Sequence, residues 1–267
     1  MSVQEGTIRP AEAPKPPPPP PSAGRSSVAR VRTVVVKELR DYRRNRFIAG
    51  TMAVLPILFM VAPLAVVFRL PANEPASKLN AGIGLSLLYL TLIPALVPAV
   101  VASYAVIGER EQGTLEPVLT TPVRREELLL GKALSALLPT LAISYFMYGV
   151  FLLVTGLFAH RNVSADVFET GRIVAQLVFT PLLAGWSIWA GIAISIRATD
   201  VRVAQQLGTL VSLPPLVITS LMGFGIITPT LRLALLFGAV LLVIDIGAWK
   251  AVSALFDRER LIIGTKY

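Results

Sequence analysis

The chain contains no cysteine and a single histidine, His160. The absence of cysteine excludes a disulfide framework, a thiolate nucleophile and any cysteine-ligated metal site. A single histidine likewise excludes a multi-histidine metal site. Charge is also scarce, because only 15% of the 267 residues are charged, against about 25% in an ordinary soluble domain. With 54% hydrophobic residues, this composition indicates a polytopic membrane protein.

The chain also lacks a Walker A pattern, G-x-x-x-x-G-K-[S/T]. The pair Gly131-Lys132 is followed by Ala133, has no glycine at the required upstream position, and opens an apolar run. No soluble segment is large enough to bind a nucleotide by itself. We therefore expect no catalytic, cofactor-binding or metal-binding residue on this chain.

Proline is concentrated in the first 27 residues, with an unbroken run at positions 16–21. Proline has no amide hydrogen and cannot build a packed core, so this tail is predicted to be polyproline II or disordered. Binding to an SH3-like partner is the alternative to a solvated tail. The tail is not expected to be a signal peptide, because no apolar core follows the first methionine.

Residues 28–46 carry the pattern of an amphipathic helix. Val28, Val31, Val35 and Leu39 recur at helical spacing. The cations around the rest of this helix are Arg30, Arg32, Lys37, Arg40, Arg43, Arg44 and Arg46. We expect this helix to lie on the cytoplasmic membrane face, with its cations toward anionic headgroups. No aromatic platform accompanies the charge, which disfavours a nucleic-acid site despite the net charge of +9.

Six apolar runs are long enough to cross a bilayer, which takes about 20 residues. The predicted spans are 47–68, 81–107, 133–158, 173–196, 207–227 and 233–249. The second has room for an irregular turn near Pro94 and Pro98, and Pro214-Pro215 breaks the fifth. The predicted fold is all-α, with a tail at 1–27 and a transmembrane domain at 28–267.

The distribution of cations predicts the orientation. If the amino terminus is cytoplasmic, all but five of the 25 Lys and Arg lie in the tail or in inner segments. The five outer residues are Arg69, Lys78, Arg161, Arg172 and Arg232. This asymmetry follows the positive-inside rule, so both termini are expected in the cytoplasm of a multi-pass cell-membrane protein.

A polar segment at 108–132, GEREQGTLEPVLTTPVRREELLLGK, separates spans two and three. Thr114 is a candidate N-cap for a short helix at 115–119. Thr121-Pro122 is typical of a further helix start, with Glu126 and Glu127 near the positive end of its dipole. On this pattern alone the segment is either an interface for a partner or a loop that only orients two spans.

The segment resembles the signature loop of the type-two ABC transporter permeases. It has the E-x-E-x-G-T stretch, a short hydrophobic helix, T-P-V, and L-L-x-G-K leading into the next span; Arg124 stands where a small polar residue is commoner. The six-span layout and the basic helix with Lys-Glu-Leu at 37–39 also match. The resemblance runs from about residue 28 to the end.

This resemblance implies that the chain is the permease subunit of an ATP-driven exporter. In the lipid bilayer it would pair with a second permease, and in the cytoplasm with a dimer of ATPase subunits. ATP and Mg²⁺ would bind to the ATPase, and no nucleic acid is implied. The residues that would dock on the ATPase are Glu109, Arg110, Glu111, Gly113, Thr114, Leu115 and Glu116.

Asp245 is the only acidic residue inside an apolar run. A carboxylate within a membrane span favours a functional role, such as a contact in a transport pathway. Asp245 also leaves a secondary transporter open as an alternative to the ATP-driven permease. A lipid-modifying membrane enzyme is the other alternative, although it would need converging His, Asp or Cys residues.

Overall fold

The computed structural model describes residues 27–71, 75–113, 123–223 and 231–255. Within these ranges the chain is helical and contains no strand, which confirms the predicted all-α fold. The helices are α1 (Ser27–Arg44), α2 (Arg46–Arg69), α3 (Ala76–Ser103), α4 (Ile107–Glu111), α5 (Arg125–Phe158), α6 (Arg161–Val167), α7 (Thr170–Arg197), α8 (Val201–Val211), α9 (Leu213–Gly223) and α10 (Leu231–Leu255).

Six helical segments of the described chain are long and apolar enough to cross a membrane, which confirms the predicted number of spans. They are Arg46–Arg69, Ala76–Glu111, Arg125–Phe158, Thr170–Arg197, Val201–Leu221 and Leu235–Leu255. Most of them extend beyond the predicted bounds into charged residues. The predicted bounds were set where charged residues begin, which is where the apolar part of a span ends. The helices are longer because backbone hydrogen bonding continues into the polar residues at the membrane boundary.

Helices α3 and α7 form the centre of the bundle. Their residues in the shared core are fully or almost fully buried, among them Val101 and Ala102 on α3 and Ile192 on α7. Gly191 lets the two backbones come close, since a Cβ at that position would lie 2.7 Å from the Cβ of Ala102. Small residues at such a contact are the usual means of tight helix packing in membranes.

Two side chains bond to backbone carbonyls whose usual intrahelical donor is missing because of a proline. Pro181 cannot donate to the carbonyl of Leu177, and the hydroxyl of Tyr145 donates to it instead, at 3.1 Å.

The fifth span is broken at Ser212 between α8 and α9. There the indole of Trp186 donates to the carbonyl of Val211 at 2.9 Å. The predicted break in span five is therefore present, and another helix stabilises it.

The second span is interrupted at least six residues beyond Pro98, later than expected. Helix α3 runs without a break through Pro94 and Pro98, and the irregular backbone lies between Ser103 and Ile107. The Oγ of Ser195 accepts from the amides of Val106 and Ile107, both at 3.0 Å, and donates to the carbonyl of Ser103 at 2.7 Å. This hydroxyl, which comes from α7, satisfies the backbone groups that the break leaves open.

Candidate functional site: the base of the polar loop

A single non-helical residue joins helix α1 to the first span. Asn45 separates α1 from α2, and its side-chain oxygen accepts from the amides of Phe47 and Ile48, at 3.0 and 3.3 Å. This N-cap ends one helix and starts the next. This short connection places α1 against the first turns of α5, where the polar segment rejoins the membrane bundle.

The buried face of α1 borders the expected valine face. Val28 is 76% exposed, and the other three residues of that face, Val31, Val35 and Leu39, are half-buried. The fully buried stripe consists of Val34, Glu38 and Tyr42. These three residues are one turn apart and therefore share a face. Val34 packs against Gly131 of α5, since a Cβ on that glycine would lie 2.6 Å from Val34 Cγ1. Helix α1 thus packs on protein, and its expected contact with headgroups stays a prediction.

Four charged side chains meet at this junction, and we call them the charge cluster: Lys37 and Glu38 of α1, Glu109 of α4, and Lys132 of α5. Lys132 Nζ lies 3.0 Å from Glu38 Oε1 and 3.0 Å from Glu109 Oε2. Lys37 Nζ lies 2.7 Å from Glu109 Oε1 and 3.1 Å from Glu38 Oε1. The two cations therefore alternate with the two carboxylates, and the more exposed Asp41 adds a longer contact of 3.5 Å to Lys37 Nζ.

Burial makes the pairing of these charges more important than it is on the surface, because an unpaired charge would be left without water around it. The side chain of Lys132 is only 1% exposed, and those of Glu38 and Glu109 are 7% and 10% exposed. Burial alone would raise the pKa of the Glu38 carboxyl, but the charges of Lys132 and Lys37 outweigh it and hold that pKa below its usual 4.5. Burial opposes the charge of Lys37 as well, yet Glu38 and Glu109 raise its pKa above 10.5. These directions of the pKa favour the ionised forms of Glu38 and Lys37.

Two further contacts join α1 to the start of α5. Arg30 binds Glu127 with two parallel hydrogen bonds of 2.7 Å, the strong bidentate geometry. The buried hydroxyl groups of Tyr42 and Ser135 lie 3.1 Å apart in a hydrogen bond. Together with the charge cluster, these contacts run along the whole α1–α5 interface.

The first turn of α5 differs from the sequence prediction. Helix α5 begins at Arg125, whereas Thr121-Pro122 predicted an earlier start; Val123 and Arg124 are not helical. Glu127 accounts for the shift, because its carboxylate accepts from the amide of Arg124 at 3.1 Å. That bond closes the amino terminus of α5 at this point. The predicted short helix at 115–119 lies outside the described residues.

The predicted docking residues lie in two different surroundings. Glu109 is buried in the charge cluster, whereas Arg110, Glu111 and Gly113 are exposed. The guanidinium of Arg110 reaches the carbonyls of Ala198 and Ile196, at 3.5 and 3.4 Å.

Glu111 Oε1 accepts from the amide of Val201 at 3.2 Å, at the start of α8. Gly113 has φ +68°, a conformation that favours glycine. Thr114, Leu115 and Glu116 lie outside the described residues. No contact in the structure tests whether these seven residues bind a partner.

Sequence reasoning overlooked several residues that hold the loop base in place. From the sequence, Glu38 was predicted only as part of the Lys-Glu-Leu motif at 37–39, and no role was predicted for Ser195. The available signal for Glu38 was its position one turn from both Val34 and Tyr42, and for Lys132 it was the preceding Gly131. Within the described ranges, no three His, Cys, Asp or Glu side chains are grouped so that they could hold a metal ion.

We predict that Gly131→Ala destabilises the protein by about 1–3 kcal/mol, because overpacking at a tight contact costs this much. The new Cβ would press on Val34 Cγ1. Gly149→Ala is the matched control on the same helix, since nothing lies within 4 Å of a Cβ there. That control should be neutral or stabilising by up to about 1 kcal/mol. Unfolding titrations in mixed micelles measure both, and equal values for the two variants would contradict the tight α1–α5 contact.

We predict that the α1–α5 junction is most stable between about pH 4.5 and pH 10.5. Because the pKa of Glu38 is held below 4.5, its contribution is complete above that pH and is lost as the pH falls through its folded pKa. Because the pKa of Lys37 is raised above 10.5, its contribution is complete below that pH and is lost as the pH rises further.

Hydrogen exchange of the α1 amides as a function of pH measures this window. Protection should be constant across it and fall on the acid side. The double variant Glu38→Leu, Lys132→Met should show a smaller acid-side fall, because only the Arg30–Glu127 and Lys37–Glu109 pairs then remain to be broken by protonation. Unchanged protection of the wild-type chain far below pH 4.5 would contradict the prediction.

Comparison with known protein families identifies the chain. Residues 32–254 match the family described as ABC-2 family transporter protein. No curated protein matches the chain. The matched region includes nearly all of α1, the whole charge cluster and almost all of the last span. Because it covers well over half of the 267 residues, the chain belongs to the ABC-2 transporter family and is a multi-pass membrane permease.

Proposed function

We propose that this chain forms the substrate pathway of an ATP-driven exporter and takes its motion from a separate ATPase subunit through residues 108–132. The observation that supports this most is the charge cluster. It joins the first helix, the end of the second span and the start of the third into one unit at the base of the loop. A movement of the loop would therefore displace these three helices together.

The loop has a buried base at Glu109, and the residues that follow it, which we call the tip, begin with exposed ones. Arg110, Glu111 and Gly113 are exposed, and we propose that they form the docking surface with Thr114, Leu115 and Glu116. A short segment with an apolar residue such as Leu115 and charges around it suits a groove on a partner. In this proposal Glu109 does not face the partner. It carries the motion of the tip to Lys37 and Lys132.

The assembly we propose contains two permease copies and two ATPase subunits in the cell membrane, with both termini of this chain in the cytoplasm. ATP and Mg²⁺ would bind to the ATPase, in keeping with the missing Walker A pattern. The cation distribution supports the orientation. The direction of transport rests on the resemblance of the loop to those of exporters.

We predict that the full-length chain, tagged and purified from its own cells, brings with it a protein that carries a Walker A sequence and hydrolyses ATP. Leu115→Asp should abolish this capture, because a charge in an apolar groove costs several kcal/mol. The control is Phe168→Asp, which places the same charge on an exposed residue between α6 and α7, outside the spans. This control should leave capture intact.

Capture is measured by quantitative mass spectrometry of the purified complex together with its ATP hydrolysis rate. Equal capture by wild type and the Leu115 variant would contradict docking through the loop. If the wild-type chain captures no ATPase, the ATP-driven mechanism itself is wrong.

A further inference from the structure

Helix α4 is bonded to the charge cluster on one side and to α7 and α8 on the other. Glu109 joins it to α1 and α5 through the two lysines of the cluster. On the other side, Glu111 Oε1 accepts from the amide of Val201, at the start of α8. The guanidinium of Arg110 reaches two carbonyls at the end of α7, and Ile107 is buried among residues of the same region. Helix α4 is therefore in contact with the fourth and fifth spans as well as with the first and third.

The hydroxyl of Ser195 is inserted into the backbone hydrogen bonding of the second span. In a continuous helix the amide of Ile107 would donate to the carbonyl of Ser103, four residues earlier. Instead, that amide donates to Ser195 Oγ at 3.0 Å, and Ser195 Oγ donates to that carbonyl at 2.7 Å. The amide of Val106 donates to the same Oγ at 3.0 Å. Insertion of a side chain between helical donor and acceptor is a recognised cause of a kink.

The Ser195 hydroxyl makes all of its hydrogen bonds to the second span. A serine hydroxyl has one donor and two acceptor positions, and all three are used by groups of the break. Ser195 is fully buried, so solvent does not compete for these bonds. The hydroxyls of Thr140 and Ser212 instead donate to a carbonyl four residues earlier in the same helix, which is common for these residue types. Ser195 therefore attaches the fourth span to the break.

A second hydroxyl joins the break to the fifth span. Ser103 Oγ donates to the carbonyl of Ala204 in α8 at 3.1 Å. Gly208, one turn further along α8, makes room for this hydroxyl, because a Cβ at that position would lie 2.9 Å from Ser103 Oγ. The break in the second span is thus bonded to both α7 and α8.

Asp245, the predicted pathway residue, does not belong to this set of contacts. It is 9% exposed on α10 and lies against α7, where a Cβ on Gly185 would be 2.6 Å from its Oδ2. Its Oδ1 has no hydrogen-bond partner in the part of the chain that the structure describes. A role for Asp245 in transport stays a prediction.

We propose that the break at 103–107 is a joint between α3 and α4, and that Ser195 is the positioning residue that makes the fourth and fifth spans follow the loop. An unbroken helix would move α4 as one rod with α3, whereas the broken helix lets α4 change its angle to α3. The three bonds of Ser195 keep the end of α7 attached to both sides of the break while that angle changes. The proposal rests on the proposed coupling to an ATPase and adds the residues that carry the movement to these two spans.

Hydrogen exchange of the full-length permease–ATPase complex in lipid nanodiscs tests the joint. It is measured without nucleotide and with ATP, Mg²⁺ and orthovanadate. In wild type, nucleotide should change the exchange of both α1 and α8. Ser195→Ala should reduce the change in α8 by about threefold or more, which is within the range for substitutions in coupled networks. The change in α1 should stay as in wild type, because the charge cluster is intact.

The matched control is Ser187→Ala on the same helix. Ser187 is 1% exposed, and its Oγ has no hydrogen-bond partner among the described residues. This variant should keep the wild-type response in both α1 and α8. An equal loss of the α8 response in the Ser187 and Ser195 variants would overturn the proposal, since the loss would then not depend on the bonds to the break.

A role for Ser195 in stability alone would give a different result. Ser195→Ala would then lower the free energy of unfolding but leave the α8 response unchanged relative to that of α1, which would overturn the proposal. Ser103→Ala covers the case in which Ser195→Ala does not fold, because it removes the bond to α8 and keeps the carbonyl that Ser195 binds. It should also reduce the α8 response by about threefold, and an unchanged response would contradict the joint.

The wild-type complex separates this proposal from the proposed function. A chain that captures an ATPase and responds to nucleotide in α1 but not in α8 refutes the joint alone. A chain that captures no ATPase refutes the proposed function, and the joint with it.

Discussion

The replacement of Lys132 by methionine is expected to lower the free energy of unfolding by about 3–5 kcal/mol. Loss of one partner from a buried ion pair costs this much, because the other charge stays buried and uncompensated. In this case Lys37 is the one cation of the charge cluster that remains beside Glu38 and Glu109. An unfolding titration in mixed micelles measures the loss.

A second substitution separates the charge effect from packing. Glu38→Leu combined with Lys132→Met removes one charge of each sign and leaves the Lys37–Glu109 pair balanced. This double variant should recover more than half of the lost stability, as apolar replacement of a buried pair often does. Lys250→Met, on an exposed lysine, should change stability by less than about 0.5 kcal/mol. A Lys132 variant as stable as this control would contradict the account of the cluster.

Gly113→Pro is expected to reduce ATP hydrolysis by the assembled complex at least tenfold while the permease stays folded. Gly113 has φ +68°, whereas proline is held near −65°, so the chain beyond the glycine must leave in another direction. The glycine is exposed, with open space around it, and the core is therefore undisturbed.

The matched control for this loop variant is Gly171→Pro. Gly171 also has open space around it, but it lies in the first turn of α7, where proline is tolerated. The comparison uses the ATP hydrolysis rate of the purified complex and the unfolding free energy of each variant. Full hydrolysis by the Gly113 variant would mean that the direction of the loop does not matter for coupling.

The spans could be predicted because their signal is local. A run of about 20 apolar residues is hydrophobic whatever surrounds it, and all six runs were found in the sequence. The prolines carried local information as well, but of a weaker kind. Pro214-Pro215 marked the break in span five, whereas Pro94 and Pro98 did not break span two. The break after Ser103 depends on the hydroxyl of Ser195, which is 92 residues away in the chain.

The charge cluster could not be predicted in the same way. Lys132 and Glu38 are 94 residues apart, and Lys37 and Glu109 are 72 residues apart. The neighbours of Glu38 and Lys132 in the sequence hint that these residues are buried, but the sequence does not show which charges pair with each other. Burial decides which of them matter, and burial depends on the connection at Asn45 and the close contact at Gly131. The sequence contained both features, but each has meaning only once α1 is placed against α5.

The most direct test of the coupling role uses the absence of native cysteine. A single Gln112→Cys variant places one thiol on the exposed part of the loop, and Arg161→Cys places one on the opposite side of the predicted membrane. Each is treated in cells with a thiol-reactive photo-crosslinker, and the products are identified by mass spectrometry. Our account predicts a cross-link from Gln112→Cys to a protein with a Walker A sequence, and none from Arg161→Cys. An ATPase that co-purifies with the chain but never cross-links at Gln112, or that cross-links at Arg161, would contradict it.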